Sequence, residues 1–97
     1  MSELYRIASD GLTLVAETFG AGRPLVFSHG LTNNRQQGNR LMAPLTRSCR
    51  MVTFDQRGHG ESSPVTDPAL YGVDRMAADI AAVMDFLGIE RALVAGE

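Results

Sequence analysis

The sequence contains no lysine, no tryptophan and a single cysteine among its 97 residues. All nine basic residues are arginine and the net charge is −2, so the composition excludes the basic surface that binds nucleic acid or an anionic membrane. Cys49 cannot form an internal disulfide, which favours a reducing compartment and predicts a cytoplasmic protein. Because Cys49 opens an apolar stretch, we interpret its side chain as a small buried hydrophobe.

Long apolar runs are also absent from the sequence. No run approaches the roughly 20 residues that cross a bilayer, and residues 1–9 lack the apolar segment of a signal peptide. Hydrophobic residues make up 44% of the sequence and charged residues 21%, as in an ordinary globular domain. We therefore expect a protein without membrane association.

The apolar patterns that are present predict strands alternating with helices. We predict strands at residues 4–9, 12–19, 25–27, 50–54 and 92–95, and helices at residues 35–46 and 73–87. Asp10-Gly11 between the first two strands is typical of a hairpin turn. From Val73 to Leu87 apolar residues recur at spacings of three and four, and Gly88 follows as a helix-ending glycine does.

This order of elements predicts an α/β fold with a mostly parallel open sheet and an N-terminal antiparallel hairpin. After the hairpin, strands alternate with helices, which implies right-handed crossovers between parallel strands. The polar, turn-rich segments 28–34 and 55–64 each follow a strand. They should therefore lie at the carboxyl edge of the sheet, where open α/β sheets place their ligand sites.

Three segments together carry a resemblance to a known family: residues 27–30 (FSHG), residues 55–62 (DQRGHGES) and residues 95–97 (AGE). In order and spacing they resemble the α/β-hydrolase superfamily, and the second fits its pattern D-x-R-G-x-G-x-S at every fixed position. The sequence is similar to small bacterial esterases, lactonases, haloperoxidase-like enzymes and carbon–carbon bond hydrolases. The resemblance implies a three-layer αβα domain in which Asp55 and Arg57 hold neighbouring loops.

The resemblance also implies that residues 1–97 are the N-terminal portion of a single hydrolase domain, incomplete without the following residues. Gly96-Glu97 would open the nucleophile elbow G-x-S-x-G, with a serine directly after Glu97 and the triad acid and histidine further on. Glutamate is usual before serine there, whereas aspartate-nucleophile relatives usually show histidine. For the end at Glu97 we consider a break at a modified nucleophile, a nick and a truncation.

The turn after the third strand predicts the part of a catalytic site that stabilises an oxyanion. A His-Gly turn lets the backbone bend so that the Leu31 amide faces the pocket and, with the amide after the nucleophile, stabilises an oxyanion. The oxyanion and substrate-binding loop then comprises His29, Gly30, Thr32 and Asn33, with His29 itself interpreted as structural. One of the asparagines that follow the turn is alternatively a cap of the next helix.

The loop at residues 55–62 admits two other chemistries. Its G-x-G at residues 58–60 lacks the third glycine and the helix of a dinucleotide-binding loop. Asp55, His59 and His29 have no compact metal-ligand spacing. We therefore expect no cofactor and no metal.

These patterns predict a serine hydrolase that forms an acyl-enzyme from an ester, lactone, thioester or C–C bond of a small molecule. Its partners would be that substrate and the remainder of the domain, as a continuing or separate chain. Whether the protein forms a homo-oligomer is left open by the sequence. Without later strands, residues 92–95 would form an exposed apolar edge. The alternatives are a non-catalytic ligand-binding protein of the same fold and an aspartate-nucleophile epoxide hydrolase or dehalogenase relative.

Overall fold

A computed structural model describes residues 2–97, which form five strands and two α-helices. The strands are β1 (Ser2–Ser9), β2 (Leu12–Gly20), β3 (Arg23–Ser28), β4 (Cys49–Phe54) and β5 (Leu93–Gly96), and the helices are α1 (Arg35–Met42) and α2 (Val73–Leu87). The predicted elements are all present, and α2 has the predicted bounds. The first helix ends four residues earlier than predicted, because Pro44 lacks the N–H that an α-helix needs and the chain continues as a 3₁₀ turn, Ala43–Leu45.

The sheet is mixed, with a parallel half and an antiparallel half. Its strand order is β1-β2-β4-β3-β5; β3 runs parallel to both β4 and β5, while β2 runs antiparallel to both β1 and β4. Asp10 and Gly11 join β1 to β2 with φ angles of 53° and 75°. Positive φ at both central residues is the type I′ geometry of a two-residue hairpin. The predicted fold class is therefore confirmed.

Two apolar clusters occupy opposite faces of the sheet, because alternate residues of a strand point to opposite sides. In β3, Val26 joins the cluster under α2, while Leu25 and Phe27 join the cluster that the end of α1 covers. The first cluster comprises Ile7, Leu14, Ala16, Val26, Val52, Phe54, Val83 and Ile89. Cys49 is half-buried against the second cluster. The result is the three-layer αβα arrangement.

Helix α2 lies on the sheet through its central and C-terminal turns. Val83 is fully buried there, and Ile80 and Met84 pack beside it. Val73, which the apolar spacing assigns to the same stripe, is 83% exposed because it begins the helix away from that cluster. The helix ends at Gly88, whose φ of 70° is the left-handed conformation expected of a helix-ending glycine.

Strand β5 lies at one edge of the sheet and is apolar but exposed. Leu93 and Val94 keep 61% and 55% of their surface accessible. Within residues 2–97, β5 pairs with β3 and has no neighbour on its other side. This is the exposed apolar edge expected from the sequence. In the same part of the chain, neither α1 nor α2 combines the length and apolar character that a bilayer crossing requires.

Candidate active site

The carboxyl ends of three parallel strands meet at one point of the sheet edge. Ser28, the last residue of β3, is paired with Phe54 of β4 on one side and with Gly96 of β5 on the other. The segments that follow these strands therefore lie side by side. Together with Gly96, the last residue of β5, they contain every residue that the sequence assigns to the site, so the structure brings the predicted site residues together at this edge.

The first of these segments is a tight turn from Gly30 to Asn33. The Asn33 amide donates to the Gly30 carbonyl at 3.1 Å, and Thr32 has a φ of 71°, the positive value found at the third position of a type II turn. A β-branched residue is strained in this conformation, typically by about 1–3 kcal/mol, so the surroundings must hold it. Leu31, at the second position, has a side chain that is 73% exposed.

The peptide bond between Gly30 and Leu31 is held from its carbonyl side. The Gly30 oxygen accepts from the Asn33 amide at 3.1 Å and from Nδ1 of His29 at 2.7 Å. In a trans peptide the N–H points opposite to the C=O, so the Leu31 amide is directed away from the His29 ring. The Leu31 N–H donates no hydrogen bond to any acceptor within residues 2–97. The turn thus fixes one N–H that has no partner in this part of the chain.

His29 is buried beneath the turn, with 1% of its surface exposed, and both ring nitrogens are engaged. Nε2 accepts a hydrogen bond from the backbone amide of Gln56 at 3.0 Å, so Nδ1 carries the proton and donates it to the Gly30 carbonyl. Burial is the main cause that lowers the pKa of His29 below its usual value of 6.5. The imidazole is therefore neutral in the folded chain at neutral pH.

The low pKa of His29 predicts a pH dependence of stability. As the pH falls below about 6.5, the unfolded chain takes up a proton on His29 before the folded chain does. The stabilisation by neutral His29 is therefore complete above that pH and declines as the pH falls towards the folded-state pKa. Urea unfolding of the full-length protein between about pH 8 and pH 5 measures this decline. The decline should be smaller in His29→Asn, and an identical slope in the two proteins would contradict it.

His59 comes from the second of these segments, the loop at residues 55–62 that follows β4. Its ring lies against that of His29, with ring centroids 5.1 Å apart and planes tilted by 59°. Its Nδ1 donates to the Arg57 carbonyl at 3.0 Å, and its Nε2 accepts the Thr32 amide at 3.3 Å. This pattern assigns the Nδ1–H tautomer to His59. The sequence places both histidines in polar loops, but it does not indicate that their rings are in contact.

Glu97 connects the turn with the end of β5. Its Oε1 accepts from the Asn33 side-chain amide at 2.8 Å and lies 3.4 Å from the Gly30 amide nitrogen, which donates to it. A methyl group at Gly30 would come within 3.2 Å of Glu97 Cγ, so the absence of a side chain allows this close approach. The helix cap is Asn34 and not Asn33, because the Asn34 side chain accepts the Gln37 amide at 3.2 Å.

Asp55, directly after β4, organises the second segment. The buried carboxylate accepts the amide of Arg35 at 2.7 Å, the guanidinium of Arg35 at 2.6 Å and the amide of Glu61 at 3.1 Å. A Cβ at Gly60, whose φ is 50°, would lie only 2.4 Å from this carboxyl group. The aspartate and this glycine of the loop pattern therefore form one packed unit, which also anchors the start of α1.

Arg57 is the largest fully buried side chain of the described residues. Its Nε and Nη2 each donate to the Asp79 carboxylate at 2.8 Å, and its Nη1 donates to Asp10 at 3.0 Å and to the Leu70 carbonyl at 2.6 Å. The bonds to Asp79 are the main cause that raises the pKa of Arg57 above its usual value. Arg57 thus joins the second segment to α2 and to the β1–β2 hairpin.

A cavity of about 260 Å³ lies between the strand ends and the first turns of α2. Ser28 and Gln56 line it together with apolar residues such as Met76 and Ile80. The Gln56 side-chain nitrogen donates to Ser28 Oγ at 2.8 Å and to the His29 carbonyl. Its Oε1 is buried and accepts no hydrogen bond from residues 2–97.

Comparison with known proteins shows which family the chain is related to. A family profile described as alpha/beta hydrolase fold matches residues 23–97. A non-heme haloperoxidase of Rhodococcus erythropolis is 36% identical over 83 residues, which are 84% of this chain and 30% of that protein. An epoxide hydrolase of Caballeronia sordidicola is 32% identical over 93 residues, 95% of this chain and 28% of that protein. The 3-oxoadipate enol-lactonase 2 of Acinetobacter baylyi is 33% identical over 92 residues, 93% of this chain and 34% of that protein.

The solved structures agree with this relationship at the level of the fold. The crystal structure of the epoxide hydrolase VrEH1 from Vigna radiata matches with a TM-score of 0.89 and 23% identity, over 99% of this chain and 32% of that chain. The chain thus spans about a third of the length of these relatives. Because the family profile covers most of its residues, the chain belongs to the alpha/beta hydrolase fold family.

Proposed function

We propose that this chain supplies the N-terminal part of a serine hydrolase that cleaves an ester, lactone, thioester or C–C bond of a small molecule. The observation that carries the proposal is the Leu31 amide, which has no protein partner within residues 2–97 and whose orientation the turn fixes. Such a preorganised donor suits an oxyanion, because a donor that is already oriented costs no reorganisation free energy when charge develops on the substrate oxygen.

In the proposed mechanism, a serine directly following Glu97 attacks the substrate carbonyl, a histidine from later residues takes up its proton, and an acid from later residues orients that histidine. The carbonyl oxygen becomes an oxyanion, to which the Leu31 amide and the amide after the nucleophile donate. As this intermediate collapses, the histidine gives its proton to the leaving group, which departs and leaves an acyl-enzyme that water then hydrolyses. The Glu97–Asn33 bond would hold the nucleophile turn against the oxyanion turn.

We also propose that the rest of the domain completes the sheet. The apolar side chains of Leu93 and Val94 are exposed on an edge strand, and an unpaired apolar edge is normally covered by another strand. The largely apolar cavity between the strand ends and α2 offers a second surface for the same remainder. The proposed protein acts on a small molecule in the cytoplasm and needs no cofactor.

A fluorophosphonate probe tests the proposed chemistry, because it reacts covalently with an activated serine. We expect the full-length protein to hydrolyse p-nitrophenyl acetate or a simple lactone, to take up one probe molecule and to lose this activity in proportion to labelling. Heat-denatured protein is the control and should not be labelled. A folded protein that neither hydrolyses these substrates nor binds the probe would contradict the proposal.

Similarity to an epoxide hydrolase favours a second candidate function, in which an aspartate follows Glu97 and opens an epoxide. A carboxylate nucleophile would form an ester with the substrate and would not react with a fluorophosphonate. Consumption of styrene oxide by a protein that the probe leaves unlabelled would therefore support this candidate. Binding of small molecules without either reaction would instead support a non-catalytic receptor.

A further inference from the structure

Two imidazoles hold the two peptide bonds that flank Leu31. His29 Nδ1 donates to the carbonyl of the preceding peptide at 2.7 Å, and His59 Nε2 accepts the N–H of the following peptide, that of Thr32, at 3.3 Å. Because a peptide bond is planar, fixing one of its polar atoms restrains the whole unit. The orientation of the Leu31 amide therefore depends on both rings.

The hydrogen bond from the Thr32 amide to His59 lies where the backbone is strained. Thr32 has a φ of 71°, which a β-branched residue adopts only when neighbouring groups stabilise it. The Thr32 amide has His59 Nε2 as its acceptor, while the Asn33 amide is used within the turn. Without an acceptor for Thr32, the peptide after Leu31 would lose a restraint, and rotation about the Leu31 Cα, which it shares with the peptide before, would be less restricted.

The acceptor itself is rigid. His59 Nδ1 donates to the Arg57 carbonyl at 3.0 Å, which leaves Nε2 without a proton and available to accept. The ring lies against His29 at a centroid distance of 5.1 Å, and the Arg57 side chain is locked to Asp79. Through His59 Nε2, the loop at residues 55–62 therefore stabilises the turn from Gly30 to Asn33.

We propose that His59 is a positioning residue, whose Nε2 holds the Leu31–Thr32 peptide so that the Leu31 amide remains aimed at the oxyanion. His59 does not touch the substrate and does not transfer a proton in this role. The inference rests on the proposed hydrolase function, since an aimed amide has a purpose only if an oxyanion forms.

Two substitutions separate positioning from packing in the full-length protein. Phenylalanine keeps the flat ring but has no acceptor, whereas glutamine places an amide oxygen near the position of Nε2. We expect His59→Phe to lower kcat for p-nitrophenyl acetate by about ten- to a hundred-fold with KM nearly unchanged, and His59→Gln to recover most of the rate. If both variants fold and His59→Gln is as slow as His59→Phe, or if neither is slow, the positioning role is wrong.

A readout that does not need turnover distinguishes this inference from the proposed function. Nitrogen NMR should show the His59 ring protonated at Nδ1 and not at Nε2, and hydrogen exchange of the Thr32 amide should accelerate about ten-fold or more in His59→Phe but not in His59→Gln. An unprotected Thr32 amide in the unsubstituted protein would overturn the inference. A protected amide in a protein without hydrolysis or probe labelling would instead overturn the proposed function.

Discussion

Replacing Leu31 with proline should reduce kcat for ester hydrolysis by about 10²- to 10³-fold while leaving the fold intact, since this is the usual effect of removing one oxyanion donor. Proline has no N–H, so the substitution removes the proposed donor without removing a hydrogen bond of the turn. The second position of a type II turn favours proline, and the Leu31 amide has no partner to lose within residues 2–97. The exposed Leu31 side chain makes few contacts.

Leu31→Ala is the matched control, because it shortens the same exposed side chain and keeps the N–H. We expect its kcat to stay within about three-fold of the unsubstituted value, and the free energies of unfolding of both variants to change by less than about 1 kcal/mol. Steady-state kinetics on the full-length protein, with urea unfolding alongside, provides both quantities. A proline variant that is as active as the alanine variant would remove the Leu31 amide from the mechanism.

Replacing Arg57 with leucine should lower the free energy of unfolding by about 3–5 kcal/mol, the usual cost of breaking a buried ion pair from one side. The Asp79 side chain is 2% exposed, so its charge would remain buried without its main counter-ion. The Leu70 carbonyl and the Asp10 carboxylate would lose the same donor. Urea unfolding of the full-length protein measures the loss.

Arg75→Leu is the control for this prediction. Arg75 also binds Asp10, but its side chain is 44% exposed, and surface ion pairs contribute about 1 kcal/mol or less. The double variant Arg57→Leu/Asp79→Leu should recover most of the stability, because it removes both buried charges. Equal losses in Arg57→Leu and Arg75→Leu would show that the buried pair has no special weight.

The elements that depend on local chemistry could be predicted from the sequence. Asp10-Gly11 supplies two residues that adopt positive φ at low cost, which specifies the hairpin. The spacing of apolar residues and the terminal Gly88 specify α2. The early end of α1 could also have been read from Pro44, whose missing N–H breaks the helical pattern two residues ahead of it.

The contacts that build the candidate site could not be predicted, because they join residues that are distant in the chain. Asp79 of α2 lies three residues after Met76 and four before Val83, on the edge of the apolar stripe. That position was a signal for a buried acid. Its partner Arg57, 22 residues earlier, and the contact between His29 and His59 follow only once the strand order is known.

The position of the nucleophile can be measured by trypsin digestion and tandem mass spectrometry of the fluorophosphonate-labelled full-length protein. Trypsin cleaves after Arg91, so the diagnostic peptide begins Ala92-Leu93-Val94-Ala95-Gly96-Glu97. We expect the adduct on a serine that directly follows Glu97 in this peptide. An adduct on any other residue, including Ser28 or Ser62, would contradict a reactive centre next to the Leu31 turn.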